Sequence, residues 1–127
     1  MAAEAEPSVR ALADAINNRD VDAAVAVCDP EIEFLSVLAV SGKAYRGHDG
    51  IRQYFQDIAS AWKEWRVEVH RVTPRADGRV LIEMTMHMTG KESGAPLMEQ
   101  TAHIWSVRNS KLLRNEPLRE SLGQGAS

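Results

Sequence analysis

The sequence predicts an α+β domain in which three helices lie against a curved, mainly antiparallel sheet. Two observations carry that prediction. Apolar residues recur at helical spacing through much of the first half, then change to a period of two beyond Trp65. Two turn signals, Asp77-Gly78 and Asn109-Ser110, join the later alternating runs into hairpins. Helices gathered on one side of antiparallel strands define the α+β class. A long curved sheet wrapped over three helices would leave a cavity between the layers.

Composition narrows the function classes. With 127 residues the chain reads as one domain, its core at about 8–119 and flexible ends at 1–6 and 120–127. Hydrophobic residues at 44% and charged residues at 26% belong to a folded globular chain. Fifteen basic against 18 acidic residues leave a net charge of −3, with no basic cluster, so nucleic acid is not an expected partner. Apolar runs such as 34–40 are too short to span a bilayer, and the N-terminus lacks the basic and apolar regions of a signal peptide. No membrane partner is expected. The single cysteine, Cys28, excludes an internal disulfide and fits a cytoplasmic location.

The elements follow in order. After a loose lead-in, Ser8 is the N-cap of a first helix carrying Val9, Leu12, Ala13 and Ile16 on one face. Asp20 caps a second, shorter helix with Val21, Ala24, Val25 and Cys28 in a stripe, and Asp29-Pro30 stops it. Cys28 on that face reads as core filler. A strand opens at Glu31 with Ile32 and Phe34 on its covered side, runs towards Val40, and turns at Ser41-Gly42. Ile51, Phe55, Ile58 and Trp62 form the stripe of the third helix. Taken as a two-residue loop, Asp77-Gly78 pairs Val69 with Met86 and Glu68 with His87. Val80, Ile82, Met84, Met86 and Met88 then share one face, and Glu83, Thr85 and His87 the other. Residues 91–95 are a loop.

The last hairpin, 99–116, holds the most function-like residues. A two-residue loop at Asn109-Ser110 sets Arg108 against Lys111, Val107 against Leu112, Trp105 against Arg114 and His103 against Glu116. Cross-strand neighbours on one face have Cβ atoms roughly 4.5–5.5 Å apart. A histidine beside a carboxylate is a candidate acid–base pair, because the carboxylate raises the imidazole pKa and fixes its tautomer. Glu99 shares the His103 face by alternation. Tyr45, Tyr54, Phe34, Trp105, Met84, Met86 and Glu99 are the expected ligand-binding residues around the cavity. The four histidines lack metal-ligand spacing, so neither a metal nor another cofactor is expected.

Three runs carry a family resemblance: Asn18-Arg-Asp-Val-Asp-Ala-Ala, Tyr45-Arg-Gly-His-Asp-Gly-Ile-Arg-Gln-Tyr-Phe and Ala102-His-Ile-Trp-Ser-Val-Arg-Asn-Ser-Lys-Leu. With the helix order over residues 9–116, they make the chain resemble the SnoaL-like branch of the nuclear transport factor 2-like superfamily. The resemblance implies an α+β cone, with three N-terminal helices in the concave face of a curved mixed, mainly antiparallel sheet. It also implies a homodimer through the outer sheet face, where Glu68, His70 and His87 fall. Members include ketosteroid isomerases, polyketide cyclases, scytalone dehydratase, epoxide hydrolases and non-enzymatic binding domains, so fold alone does not assign a reaction. Positions matching the isomerase tyrosine, base and acidic donor are Leu12, Phe34 and His103, of which two are apolar. No pocket-facing Asp pair in the sheet strands supplies an epoxide-hydrolase set. Two readings stand: binding of a small hydrophobic molecule, or cofactor-independent isomerase, cyclase or dehydratase chemistry on a polyketide- or steroid-like carbonyl compound. In the second, His103 moves a proton and Glu116 orients it. A protein-binding module using the outer sheet face is a third.

Overall fold

The structure, a computed structural model, describes residues 2–36 and 44–118. Three helices, α1 (Ala2–Asn18), α2 (Val21–Ala26) and α3 (Gly47–Ala61), are interleaved with six strands. The strands are β1 (Cys28–Phe34), β2 (Tyr45–Arg46), β3 (Trp62–Pro74), β4 (Val80–Gly90), β5 (Pro96–Arg108) and β6 (Lys111–Pro117). They form one sheet in the order β2-β1-β6-β5-β4-β3. The pairing of β1 with β6 is parallel, and the others are antiparallel. The result is the expected mixed α+β cone, with helices on one face of an open sheet. None of the described helices is long and apolar enough to cross a membrane.

The core lies between α1, α3 and the inner sheet face. Val9, Leu12, Ala13 and Ile16 of α1 are all buried, as their spacing requires. On α3, Ile51, Tyr54, Phe55 and Ile58 are buried against β1 and β3. From the sheet, Ile32, Trp65, Val80, Ile82 and Leu112 close the layer. Asp20 caps α2 by accepting from the Ala23 N–H at 3.1 Å.

Several boundaries differ from the expected ones, each for a local reason. Helix α1 begins at Ala2 and carries Pro7 within it, and Ala5 is fully buried, so the lead-in is helical. Ala and Glu are strong helix formers, and they extend the helix through Pro7 although its ring removes one backbone bond. The Ser8 hydroxyl donates instead to the Ser110 carbonyl at 2.9 Å, tying α1 to the β5–β6 turn. Cys28 opens β1 and does not belong to α2, because its neighbour Leu112 on β6 offers a strand partner. Asp29 and Pro30 lie inside β1; bidentate bonds from Arg108 to Asp29, at 3.1 and 2.8 Å, hold that stretch to the end of β5. Trp62 starts β3 and does not end α3. The proposed course of the strand through Val40, the turn at Ser41-Gly42 and the tail at 119–127 lie outside the described residues.

Register shifts at three places reset the hairpins, the first between Trp62 and Glu64 on β3. Between β3 and β4 the turn closes from Arg75 to Arg79, and a further shift at His70 sets Val69 opposite Met84 and Glu68 opposite Thr85. The alternating faces of β4 survive, with Ile82, Met86 and Met88 buried inward. Glu68 still reaches the His87 ring diagonally, at 2.8 Å. The third lies in the last hairpin and decides the site.

Candidate functional site

The two-residue turn forms as expected, with positive φ at Asn109 and Ser110 (54° and 64°). It pairs Arg108 with Lys111 and Val107 with Leu112. Beyond that pair β6 carries one extra residue, Leu113, and Ser106 faces Arg114, Trp105 faces Asn115 and Ile104 faces Glu116. A one-residue shift reverses which side chains face inward. Leu112 and Asn115 now point to the core at 0% and 4% exposure, while the charged Arg114 and Glu116 point out. The expected His103–Glu116 pair is therefore split. Glu116 accepts from Arg79 at 2.8 Å on the outer face, and His103 meets Asn115 within.

Inside, a cavity of about 50 Å³ lies between α1 and the sheet. Val9, Leu12, Ala13 and Ile16 line it from the helix, Ile82, Met84 and Met86 from β4. Thr101, His103 and Trp105 line it from β5, with Phe34, Ser36, Tyr54 and Val67 completing the wall. This volume holds a few waters, each needing roughly 10–15 Å³. A drug-sized pocket is roughly 300–1,000 Å³. The wall is apolar apart from the heads of Ser36, Tyr54, Thr101 and His103 and the indole N–H of Trp105.

Those heads differ in their bonding. Tyr54 accepts from the Trp65 indole N–H at 2.9 Å, and burial pushes its phenol up to about 12. Its ring sits edge-on to Phe34 at 4.8 Å, and Phe34 stacks on Trp105 at 5.8 Å. This aromatic wall is rigid, whereas Met84 and Met86 opposite are flexible. His103 is only 5% exposed, and among the described residues its ring bonds only Asn115, Nδ1 to Nδ2 at 2.8 Å. Burial in this apolar setting, with no carboxylate beside it, pulls its pKa down to about 4. His103 is thus neutral near pH 7. The Thr101 hydroxyl likewise bonds no other described residue.

The expected catalytic residue His103 and, of the expected ligand-binding residues, Tyr54, Phe34, Trp105, Met84 and Met86 line the cavity. Tyr45 and Glu99 do not. The Tyr45 hydroxyl donates to Asp57 at 2.6 Å on the far side of Tyr54. Glu99 has the inward parity of His103 but sits beyond the helices, exposed. Sequence reasoning missed Thr101, Ser36 and Asn115. Thr101 was findable, since it alternates with His103 and Trp105 on one strand face. Asn115 follows only if Arg114 and Glu116 are both required to face solvent, a parity that conflicts with a buried Leu112 and demands a bulge. Burial raises the Cys28 thiol to about 12, which leaves it a core group. Among the described residues no three His, Cys, Asp or Glu side chains are grouped to hold a metal.

Comparison with known proteins matches this architecture. The SnoaL-like domain profile matches residues 9–115, and the chain belongs to that family. An NTF2-like protein of unknown function from Burkholderia pseudomallei superposes with a TM-score of 0.78 at 19% identity, over 90% of this chain and 88% of that one. TerC co-crystallised with polyporic acid gives 0.79 at 17%, over 97% and 96%. A Mycobacterium tuberculosis protein in complex with estradiol-17beta-hemisuccinate gives 0.77 at 11%, over 91% and 92%. At these identities the likeness is one of fold.

Proposed function

We propose that this chain binds one small, mainly hydrophobic molecule in the cavity between α1 and the inner sheet face. The observation that carries the reading is the cavity wall itself, apolar and without a carboxylate or ammonium group, yet holding a buried histidine head. Apolar pockets with a few convergent polar groups are the usual form of small-molecule sites. The neighbour bound to estradiol-17beta-hemisuccinate supports an occupant of steroid-like size in this fold. Reaching that size from about 50 Å³ requires Met84 and Met86 to change rotamer, which their unbranched side chains permit.

Proton transfer by His103 with Glu116 has lost its geometric support, since the two face opposite sides of the sheet. A base with a pKa near 4 is also far from the working range of a neutral-pH catalyst. The test is calorimetric titration with progesterone and a panel of fused-ring ketones. Ala13→Leu, which narrows the cavity, weakens binding about tenfold, and Met84→Ala, which widens it, strengthens binding of the larger members. Affinities untouched by both variants would place the ligand elsewhere.

For the outer sheet face we propose self-association, supported by the exposure of Met98 (71%), which shares that face near the start of β5. Met98→Asp then converts a dimer to a monomer in sedimentation velocity; a wild-type monomer sinks this assignment.

A further inference from the structure

Asn115 does more than close a strand edge. The Leu35 N–H can only donate, so the atom 2.7 Å from it is the amide oxygen of Asn115. The amide nitrogen is then the atom lying 2.8 Å from both the Leu35 carbonyl and His103 Nδ1. That nitrogen carries two hydrogens and no lone pair for hydrogen bonding. His103 Nδ1 must accept, and the single proton of the neutral ring sits on Nε2. This assignment follows from the backbone and does not depend on which way an amide is built. Nε2 bonds no described residue, and the ring borders the cavity.

Resting on the binding reading above, we infer that His103 Nε2–H is a fixed hydrogen-bond donor selecting a neutral carbonyl oxygen on the ligand, with Asn115 as its positioning residue. A ketone or ester oxygen accepts from Nε2–H, and the Thr101 hydroxyl on the same strand face offers a second donor. A carboxylate or ammonium ligand meets no opposite charge in this wall and keeps its desolvation penalty uncompensated. A hydrocarbon leaves the buried donor unsatisfied, which is costly in an apolar site.

The test combines spectroscopy with one rigid skeleton in four forms. Two-bond proton–nitrogen spectra of histidine-labelled protein at neutral pH show His103 as the Nε2–H tautomer; an Nδ1–H pattern overturns the inference whatever binds. Adamantanone binds about tenfold tighter than adamantane, and aminoadamantane and adamantane carboxylate bind more weakly than either. Equal affinity for ketone and hydrocarbon overturns the inference while leaving hydrophobic binding intact. Failure of all four to bind overturns the site and the inference together. His103→Leu abolishes the ketone preference and retains adamantane. Asn115→Leu removes the N–H that Nδ1 accepts, so the ring populates both tautomers, the spectrum shows the mixture and the ketone preference shrinks. A merely structural Asn115 would instead weaken ketone and hydrocarbon alike with the tautomer unchanged.

Discussion

Two asparagines, Asn17 at the end of α1 and Asn115 in β6, perform the same backbone service in different surroundings. Asn17 accepts from the Val67 N–H at 2.7 Å and donates to the Val67 carbonyl at 2.9 Å. Asn115 does the same to Leu35, at 2.7 and 2.8 Å. Each amide stands in for a missing strand partner, satisfying one donor and one acceptor, Asn17 serving the edge strand β3 and Asn115 the residue just past the end of β1. Asn17 is exposed and its task ends there. Asn115 is 4% exposed, and its remaining N–H points at a histidine in the cavity. One clamp holds a fold together, whereas the other also sets the protonation of a cavity-facing ring. The difference comes from burial: a buried amide hydrogen must find a partner, and the partner's protonation is then decided for it.

The largest expected effect is acid sensitivity of the buried side of the comparison. An unfolded histidine titrates near 6.5 and His103 in the fold near 4, so the unfolded chain takes up the extra proton between these values. The His103 contribution is complete above pH 6.5, declines as pH falls, and is lost by pH 4, about 3 kcal/mol in all. Urea unfolding across that window checks it; His103→Leu should flatten the slope, and an unchanged slope would show that this ring is not the titrating group. Next, Asn115→Ala strands the Leu35 backbone pair and should cost about 2–3 kcal/mol, against about 1 kcal/mol for Asn17→Ala, where water replaces the lost bonds. Equal losses in the two variants would break the comparison. The smallest effect is expected on the outer face. Glu116→Gln weakens an exposed ion pair with Arg79 and should change stability by less than about 0.5 kcal/mol, leaving the His103 nitrogen spectrum as in wild type. A changed spectrum would return Glu116 to the site.

Local pattern made most of the architecture legible. The helical spacing of Val9, Leu12, Ala13 and Ile16 and the alternation from Val80 to Met88 are properties of short windows, and burial follows them. Positive φ at two consecutive turn residues is likewise a local matter, and Asn109-Ser110 adopts it. The site was half legible. Phe34, Tyr54, Trp105, Met84, Met86 and His103 reach the cavity because face assignment within each strand or helix is local. Tyr45 fails because its hydroxyl bonds Asp57, one α3 neighbour among several that the sequence offers. Glu116 fails because strand pairing is counted from the turn, and one inserted residue reverses every side chain beyond it.

By itself the sequence determined the class of fold, the helix faces, the antiparallel pairing of the two late hairpins and the presence of a histidine on an inward face of β5. The tertiary structure alone decided which residue meets that histidine. Leu112 must fill the core while Arg114 and Glu116 keep their charges in water, and both hold only if Leu113 bulges. That parity is a negotiation among three packed layers and not a property of any window. It exchanges a carboxylate for an amide at the ring, and with it a protonatable base for a neutral donor.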